Sequence, residues 1–148
     1  MIGKRPACRC QRFSKGTTRQ RYGNYFAIFS SFRYGIDIIG HYSSGNQIPL
    51  IPVLLDIGVN LYAPLEVAAG MDAQALRNRF GKDILLLGNI SRQALMDGPQ
   101  AVEQEFYAKV PPMMASGGYI PAVDDMILPD ISFESYKRYI DMVWAFRL

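Results

Sequence analysis

Four short apolar runs alternate with segments of helical pattern, and this alternation restricts the fold more than any other feature of the chain. The runs are IDIIG at 36–40, VNLYA at 59–63, DILLLGN at 83–89 and YIPAV at 119–123. Continuous apolar strands that alternate with helices indicate a parallel sheet covered by helices. The sequence therefore predicts an α/β fold, either a doubly wound sheet or part of a (β/α)8 barrel. Four units would make half of a barrel.

The intervening segments carry helix start and stop signals. Asp72 is a predicted N-cap and Gly81 a stop for a helix over AQALRNRFG, and Ser132 is the predicted N-cap of the closing helix. A further helix is expected over IPLIPVLLDIG at 48–58, and a short helical turn over ISRQALMDG at 90–98. Residues 26–35 are expected to form the end of another helix.

Two helices carry apolar residues at helical spacing. In the long segment 99–118 these are Val102, Phe106, Val110 and Met113, and in the closing helix they are Tyr136, Ile140, Val143 and Trp144. Each set is expected to face the core. The Pro111–Pro112 pair should kink the long helix or end it early, because proline removes a donor and clashes with the preceding turn.

Composition places the chain among compact, single-domain proteins. It has 148 residues, 49% of them hydrophobic, and no run of 18 apolar residues, so a membrane span is not expected. Cys8 and Cys10 are the only cysteines. A C-x-C pair supplies too few ligands for a structural zinc, and two free thiols suit a reducing compartment. The expected location is the cytoplasm.

The charge is unevenly distributed along the chain. Residues 1–36 contain eight Lys or Arg and no acid, whereas the remainder has a net charge of −5 within the total of +3. Three interpretations of the basic start are open, namely a nucleic-acid-binding arm, a targeting peptide and a poorly ordered extension. We expect the extension, with residues 1–25 as a basic leader and residues 26–148 as the folded domain. Nucleic-acid binding is not expected, because basic composition alone is non-specific.

Polar residues follow the predicted strand ends. His41 comes after the first strand, Glu66 after the second, Asn89 with Ser91 after the third, and the pair Asp124–Asp125 after the fourth. The carboxyl ends of parallel strands build the ligand site in this architecture. Helix capping and loop solvation are the alternative roles for Asp and Asn. His41, the only histidine, suits a general base, a substrate hydrogen-bonding group or a metal ligand.

Three longer stretches resemble the uroporphyrinogen decarboxylase superfamily, which includes tetrapyrrole decarboxylases and corrinoid-linked methyltransferases. They are the segment from HYSSGN to GMD (41–72), LRNRFGKDILLLGNIS (76–91) and GGYIPAVDDMILPDISFESYKRYI (117–140). The most specific pieces are GKDILLLGNI and the Gly-Gly strand with its loop. The resemblance covers residue 26 to the C-terminus and implies the C-terminal four β-α units of a TIM barrel.

The resemblance implies a carboxy-lyase that removes carbon dioxide from tetrapyrrole acetate side chains by acid–base chemistry, without a cofactor. It implies His41, Asp124 and Asp125 as catalytic residues and Glu66, Asn89 and Tyr62 as substrate-binding residues. The chain departs from the family pattern at two positions. Asp125 stands where relatives have histidine, and Ser91 stands where they have aspartate.

Two alternatives to the decarboxylase interpretation stay open. One is a corrinoid-dependent methyltransferase, which would act on a methyl-corrinoid and use zinc. The sequence His41-Tyr42-Ser43 lacks the cysteine of that branch's His-x-Cys motif. The other is a non-catalytic fragment or half-barrel. Such a chain would leave sheet edges open and would assemble as a homodimer or with a complementing half.

Overall fold

The computed structural model describes residues 34–146, so the predicted leader and the predicted helix over 26–33 lie outside the described residues. Four strands and five helices follow one another along this part of the chain. They are β1 (Gly40–Tyr42), α1 (Ile51–Asp56), β2 (Leu61–Ala63), α2 (Ala73–Phe80), β3 (Leu85–Ile90), α3 (Arg92–Asp97), α4 (Pro99–Ser116), β4 (Tyr119–Val123) and α5 (Phe133–Ala145). Short 3-10 turns at Val67–Ala69 and Gly81–Asp83 flank α2.

The strands form one four-stranded sheet in the order β1-β2-β3-β4, and every neighbouring pair is parallel. The predicted parallel α/β fold is therefore confirmed. The strand order follows the chain without a reversal, which is compatible with one part of a (β/α)8 wall. In the register, His41 pairs with Tyr62, Tyr62 with Leu86, and Leu86 with Tyr119.

One face of the sheet carries the hydrophobic core. Because side chains alternate along a strand, Tyr62, Leu86 and Tyr119, which occupy one row of the register, point to the same side. They join a single buried cluster with the apolar stripe of α4, which consists of Val102, Phe106, Val110 and Met113. That stripe was predicted from its spacing and is confirmed.

The first strand lies later in the chain than IDIIG predicted. Its ladder begins where Asn60 and Leu61 donate to the carbonyl of Ile39, and β1 itself is Gly40–Tyr42. The extended residues before it carry an exposed Ile36. As a consequence His41, expected in the loop after the strand, is the central residue of β1. The start of the pairing between β1 and β2 is therefore set by where the neighbouring strand begins. The composition of the apolar run IDIIG does not set it.

The prolines do not end the long helix. Helix α4 continues through Pro111 and Pro112 to Ser116, so the second of the two predicted outcomes, an early end, is wrong. The carbonyls that lose their helical donors belong to Tyr107 and Ala108, which are exposed and can bond to water instead. Burial of core residues on the opposite side of the same turns favours the continuous helix.

Both predicted helix caps are present. The Asp72 carboxylate accepts from the amide of Ala75 at 2.6 Å, and the Ser132 hydroxyl accepts from that of Ser135 at 3.1 Å. These side chains satisfy amides that have no partner within the first turn.

The predicted core face of α5 is partly wrong. Its buried residues are Ser135, Tyr139 and Met142, whereas Trp144 is 80% exposed. At 3.6 residues per turn, Trp144 lies about 140° around the helix from Tyr139. Tyr139 sets the orientation, because its hydroxyl donates to the carbonyl of Pro121 in β4 at 3.0 Å. The other predicted members of the face, Tyr136, Ile140 and Val143, lie at its margin and are partly buried.

A buried arginine ties together the amino ends of β3 and β4. One terminal nitrogen of Arg77 donates to the carbonyls of Gly81 and Ile84, and the other donates to Gly117 and Gly118 at 2.9 Å each. Burial lowers the pKa of the Arg77 guanidinium from its ordinary value. These four carbonyls lie at the end of the sheet opposite to the strand ends where a ligand site is expected.

No helix within residues 34–146 is both long enough and apolar enough to cross a lipid bilayer.

We predict that Arg77→Met lowers the free energy of unfolding by about 2–4 kcal/mol, because the variant leaves backbone carbonyls without the charged donor that satisfies them in the wild type. Arg79→Met is the matched control. Arg79 is exposed on the same helix and contacts only the ring of Phe80, so its loss should cost less than about 1 kcal/mol. Urea unfolding followed by circular dichroism measures both changes. Equal losses in the two variants would mean that the four hydrogen bonds add no stability.

Candidate functional site

The carboxyl ends of the four parallel strands meet at one edge of the sheet, here called the strand-end edge. The segments that follow the strands are the loops 43–50 and 64–72, the single residue Ser91, and the loop 124–132. Four of the predicted site residues, Glu66, Asn89, Asp124 and Asp125, lie at this edge. Side-chain hydrogen bonds from these residues connect the loops to one another.

Asp124 is the central connection. Its carboxylate is buried, with the residue only 4% exposed, and its two oxygens accept from two different loops. One oxygen accepts from the amide of Val67 at 3.0 Å, and the other accepts from the amide of Arg92 at 2.8 Å. Arg92 is the first residue of α3, so the carboxylate also caps that helix. Asp124 therefore positions the loops that follow β2 and β3.

Asp125 points to a different partner. Its carboxylate accepts from the guanidinium of Arg92 at 3.0 Å and from the amide of Met126 at 2.7 Å. Both side chains of the ion pair remain partly exposed. Arg92 is a functional candidate that the predicted site set did not include. Its position at the start of the helix after β3 is the signal in the sequence, since that position borders the strand-end edge.

Both polar atoms of the Asn89 side chain form hydrogen bonds with the backbone. Its amide group donates to the carbonyls of Leu65 and Met71 at 3.2 and 2.7 Å, and its oxygen accepts from the amide of Ala73 at 3.1 Å. It is buried and has a φ of +76°, a conformation that asparagine tolerates better than most residues. Asn89 thus holds the whole loop between β2 and α2 against the end of β3.

The preceding glycine allows this close approach. Gly88 has a φ of +127°, and a Cβ atom there would lie 2.7 Å from the amide nitrogen of Leu65. A side chain at this position would therefore push the loop away from β3. The Gly-Asn pair in the run GKDILLLGNI is explained by packing at the strand-end edge.

Glu66 connects the first two loops. One oxygen of its carboxylate accepts from the amide of Gly45 at 2.6 Å. Nothing among residues 34–146 donates to the other oxygen, and the residue is only half-buried. Glu66 therefore keeps one acceptor for a ligand at the strand-end edge, unlike Asp124.

Lys109 reaches the same edge from α4 and was not predicted. Its ammonium donates to the carbonyl of Asn89 at 2.9 Å and to the carboxylate of Glu105, which also accepts from the amide of Ser91 at 3.1 Å. The Glu105–Lys109 spacing is visible in the sequence, but an i,i+4 pair is ordinarily a solvated helix feature. Lys82, which is also close to β3 in the sequence, lies in the turn before that strand, at the opposite end of the sheet.

His41 is not part of the strand-end edge. Its register with Tyr62 places its side chain on the core side of β1. The Nε2 atom is buried and has no hydrogen-bond partner among residues 34–146. The prediction that His41 joins the two aspartates in one catalytic cluster therefore has no support from its position in the strand.

Tyr62 lies within the core. It is fully buried, and its hydroxyl donates to the carbonyls of Val59 and Ile51 at 3.0 and 3.3 Å. Burial raises the pKa of Tyr62 to about 12. The hydroxyl predicted to bind substrate is therefore directed toward backbone carbonyls under the helix layer.

Metal ligands do not cluster in the described part of the chain. Within residues 34–146, no group of three His, Cys, Asp or Glu side chains is arranged to hold a metal ion.

Comparison of the chain with protein-family models, with curated proteins and with solved structures gives no match. The uroporphyrinogen decarboxylase superfamily therefore remains a proposal that depends on the quoted motifs.

We predict that Asp124→Asn lowers the free energy of unfolding by about 1–3 kcal/mol, because an amide accepts through one oxygen only and leaves one loop amide unsatisfied. Asp125→Asn is the matched control. Its carboxylate is partly exposed, so we expect a loss below about 1 kcal/mol. Urea unfolding measures both variants. A larger loss for Asp125→Asn would contradict the positioning role given to Asp124.

We predict that the absorbance of wild type at 295 nm, minus that of Tyr62→Phe, titrates near pH 12 rather than near the ordinary tyrosine value of about 10. Below pH 10, Tyr62 is protonated in the folded and unfolded chain, and its contribution to stability is complete. That contribution is lost as the pH rises through 12, because the unfolded chain releases the proton first. Circular dichroism at each pH verifies folding. A difference that titrates near 10 in the folded protein would place the hydroxyl within reach of solvent and ligand.

Proposed function

We propose that the chain is part of a uroporphyrinogen decarboxylase-like carboxy-lyase and that its strand-end edge binds a tetrapyrrole through the acetate side chains. The observation that carries the proposal is the Arg92–Asp125 ion pair, which lies at this edge and is partly open to solvent. It places a cation and a carboxylate side by side where parallel α/β folds bind their ligands. The motifs quoted above supply the family.

The loop after the ion pair supports the choice of ligand. Met126, Ile127 and Leu128 directly follow Asp125 and are exposed. An apolar macrocycle with carboxylate arms requires both an apolar surface and a cation. In the proposal, this loop contacts the macrocycle, and Arg92 binds one carboxylate of an acetate arm.

The reaction requires acid–base chemistry alone. A pyrrole ring is protonated, the bond between the acetate methylene and its carboxylate breaks, and carbon dioxide leaves while the electron pair moves into the ring. Protonation of the methylene carbon then produces a methyl group, and the ring releases the proton that it gained in the first step. Overall, one proton is consumed for each carbon dioxide released. Asp125 is proposed to stabilise the cationic pyrrole, as a carboxylate does in a water-poor site.

Asp124 and Asn89 act as positioning residues in this proposal. The oxygens of Asp124 are occupied by the amides of Val67 and Arg92, so this carboxylate holds the backbone that carries the Arg92 guanidinium. Asn89 holds the loop that carries Glu66. Glu66, with one unengaged oxygen, is proposed to accept a pyrrole N–H from the bound ligand.

We predict that the purified chain binds uroporphyrin and that Arg92→Gln weakens binding ten- to a hundredfold. Loss of one charge-assisted hydrogen bond costs about 1.5–3 kcal/mol, which corresponds to that change in affinity. Porphyrin fluorescence measures binding, and chromatography of products from anaerobic incubation with uroporphyrinogen measures decarboxylation.

Arg138→Gln is the matched control for this prediction. Arg138 also forms an ion pair, with Glu103 at 2.8 Å, but this pair joins the exposed sides of α4 and α5. Its removal should leave porphyrin affinity unchanged. Absence of binding, or equal weakening in the two variants, would overturn the proposed function.

A further inference from the structure

The face of the sheet opposite the core is apolar and open. We call it the inner face and define it by Tyr42, Leu61, Leu85, Leu87 and Ile120. Tyr42 and Ile120 are 69% and 54% exposed, and the three leucines are half-buried. The register places these side chains on the side away from Tyr62 and Leu86. The strand residues of the described core, Tyr62, Leu86, Ile90 and Tyr119, lie on the other side.

Both edges of the same sheet are also open. Within residues 34–146, β1 pairs only with β2 and β4 pairs only with β3, so each outer strand leaves one row of backbone donors and acceptors without a strand partner. Parallel sheets in proteins are almost always covered on both faces. Open edges that carry exposed apolar residues favour association with another chain.

We propose that a second copy of this chain covers the inner face and closes the sheet into an eight-stranded barrel. A twofold axis along the strands would place β4 of one copy beside β1 of the other, with both strands running in the same direction. The same contact recurs at the other edge, so the sheet closes and no open edge is left. Eight parallel strands match the number in a closed (β/α)8 barrel.

Symmetry is the reason to choose a second copy as the partner. A foreign partner would have to supply an apolar face and two parallel edges of the right length at once. A second copy supplies all three, because the inner face and both edges are already present in the same chain. The closed arrangement also buries the same residues on both copies, as an isologous contact requires.

Closure of the barrel covers more of this surface than contact at one edge does. Tyr42 and Ile120, the two most exposed residues of the inner face, lie on the two edge strands β1 and β4. Contact at one edge alone would cover one of them, whereas closure covers both edges and the whole inner face. Closure therefore comes nearer to the roughly 800 Å² per partner that a stable dimer buries.

The inference goes beyond the proposed function, since it depends on the sheet and its edges and not on the tetrapyrrole chemistry. The second copy would also complete the candidate ligand site. The strand-end edge of one copy forms half of a barrel mouth, and the second copy brings its own Arg92 and Asp125 to the opposite half. A ligand at the mouth would then be bound by residues of both copies.

The test is the mass of the full chain in solution, measured by light scattering behind a sizing column over a hundredfold range of concentration. The expected mass is twice the 16.7 kDa of one chain. Tyr42→Glu places a charge on the inner face and should convert the dimer to a monomer. Tyr107→Glu is the matched control, because Tyr107 is an exposed tyrosine on the helix layer, and it should remain a dimer.

A second inner-face variant keeps the test decisive if Tyr42→Glu does not fold. Ile120→Lys places a charge on the other edge strand and should also produce a monomer, with circular dichroism confirming that the helices are retained. A wild-type chain that stays monomeric at every concentration would overturn the inference. So would a dimer or larger assembly that survives both inner-face variants.

The outcome can be separated from that of the proposed function. A dimer that is broken by Tyr42→Glu and does not bind uroporphyrin would support the second copy and refute the decarboxylase. A monomer that binds uroporphyrin through Arg92 would do the reverse.

Discussion

Coverage of the sheet on a single face is the constraint on which the rest of this structure depends. The helix α4 packs its apolar stripe against Tyr62, Leu86 and Tyr119, whereas Tyr42 and Ile120 on the opposite face of the sheet stay exposed. Burial of apolar area on this side stabilises the sheet. The other side then holds an apolar surface whose burial would yield further stabilisation. The proposed self-association follows from this one-sided arrangement.

Polar groups at the two ends of the sheet have different tasks. At the amino ends, the two terminal nitrogens of Arg77 donate to four backbone carbonyls. At the carboxyl ends, Asp124 and Asn89 bind backbone groups of neighbouring loops. A buried polar side chain requires such partners, because its desolvation is otherwise uncompensated. Only groups that retain an unengaged atom at an exposed position, such as those of Arg92 and Glu66, are available for a ligand.

Much of the fold was predictable from the sequence because local signals and tertiary packing agree. The caps at Asp72 and Ser132, the last strand and the apolar stripe of α4 all have local causes and are confirmed. The errors occur where distant contacts override the local signal. Partner strands shift β1 toward His41, the carbonyls freed by the two prolines belong to exposed residues, and a hydroxyl contact orients α5 with Trp144 outward. The candidate site was predictable to the level of the strand-end edge and no further, since hydrogen-bond partners of single side chains are not visible in a sequence.

The sequence by itself determined the alternation of strands and helices, and hence the parallel sheet and the edge at which Glu66, Asn89, Asp124 and Asp125 gather. It did so because periodicity, capping residues and turn residues act over a few neighbouring positions. Only the tertiary structure decided that Asp124 and Asn89 hold loops, that Tyr62 is buried in the core and that Arg92 forms an ion pair with Asp125. These outcomes depend on which groups from distant segments reach one another. For Asp124, Asn89 and Tyr62, the deciding factor is whether a buried polar atom finds a backbone partner.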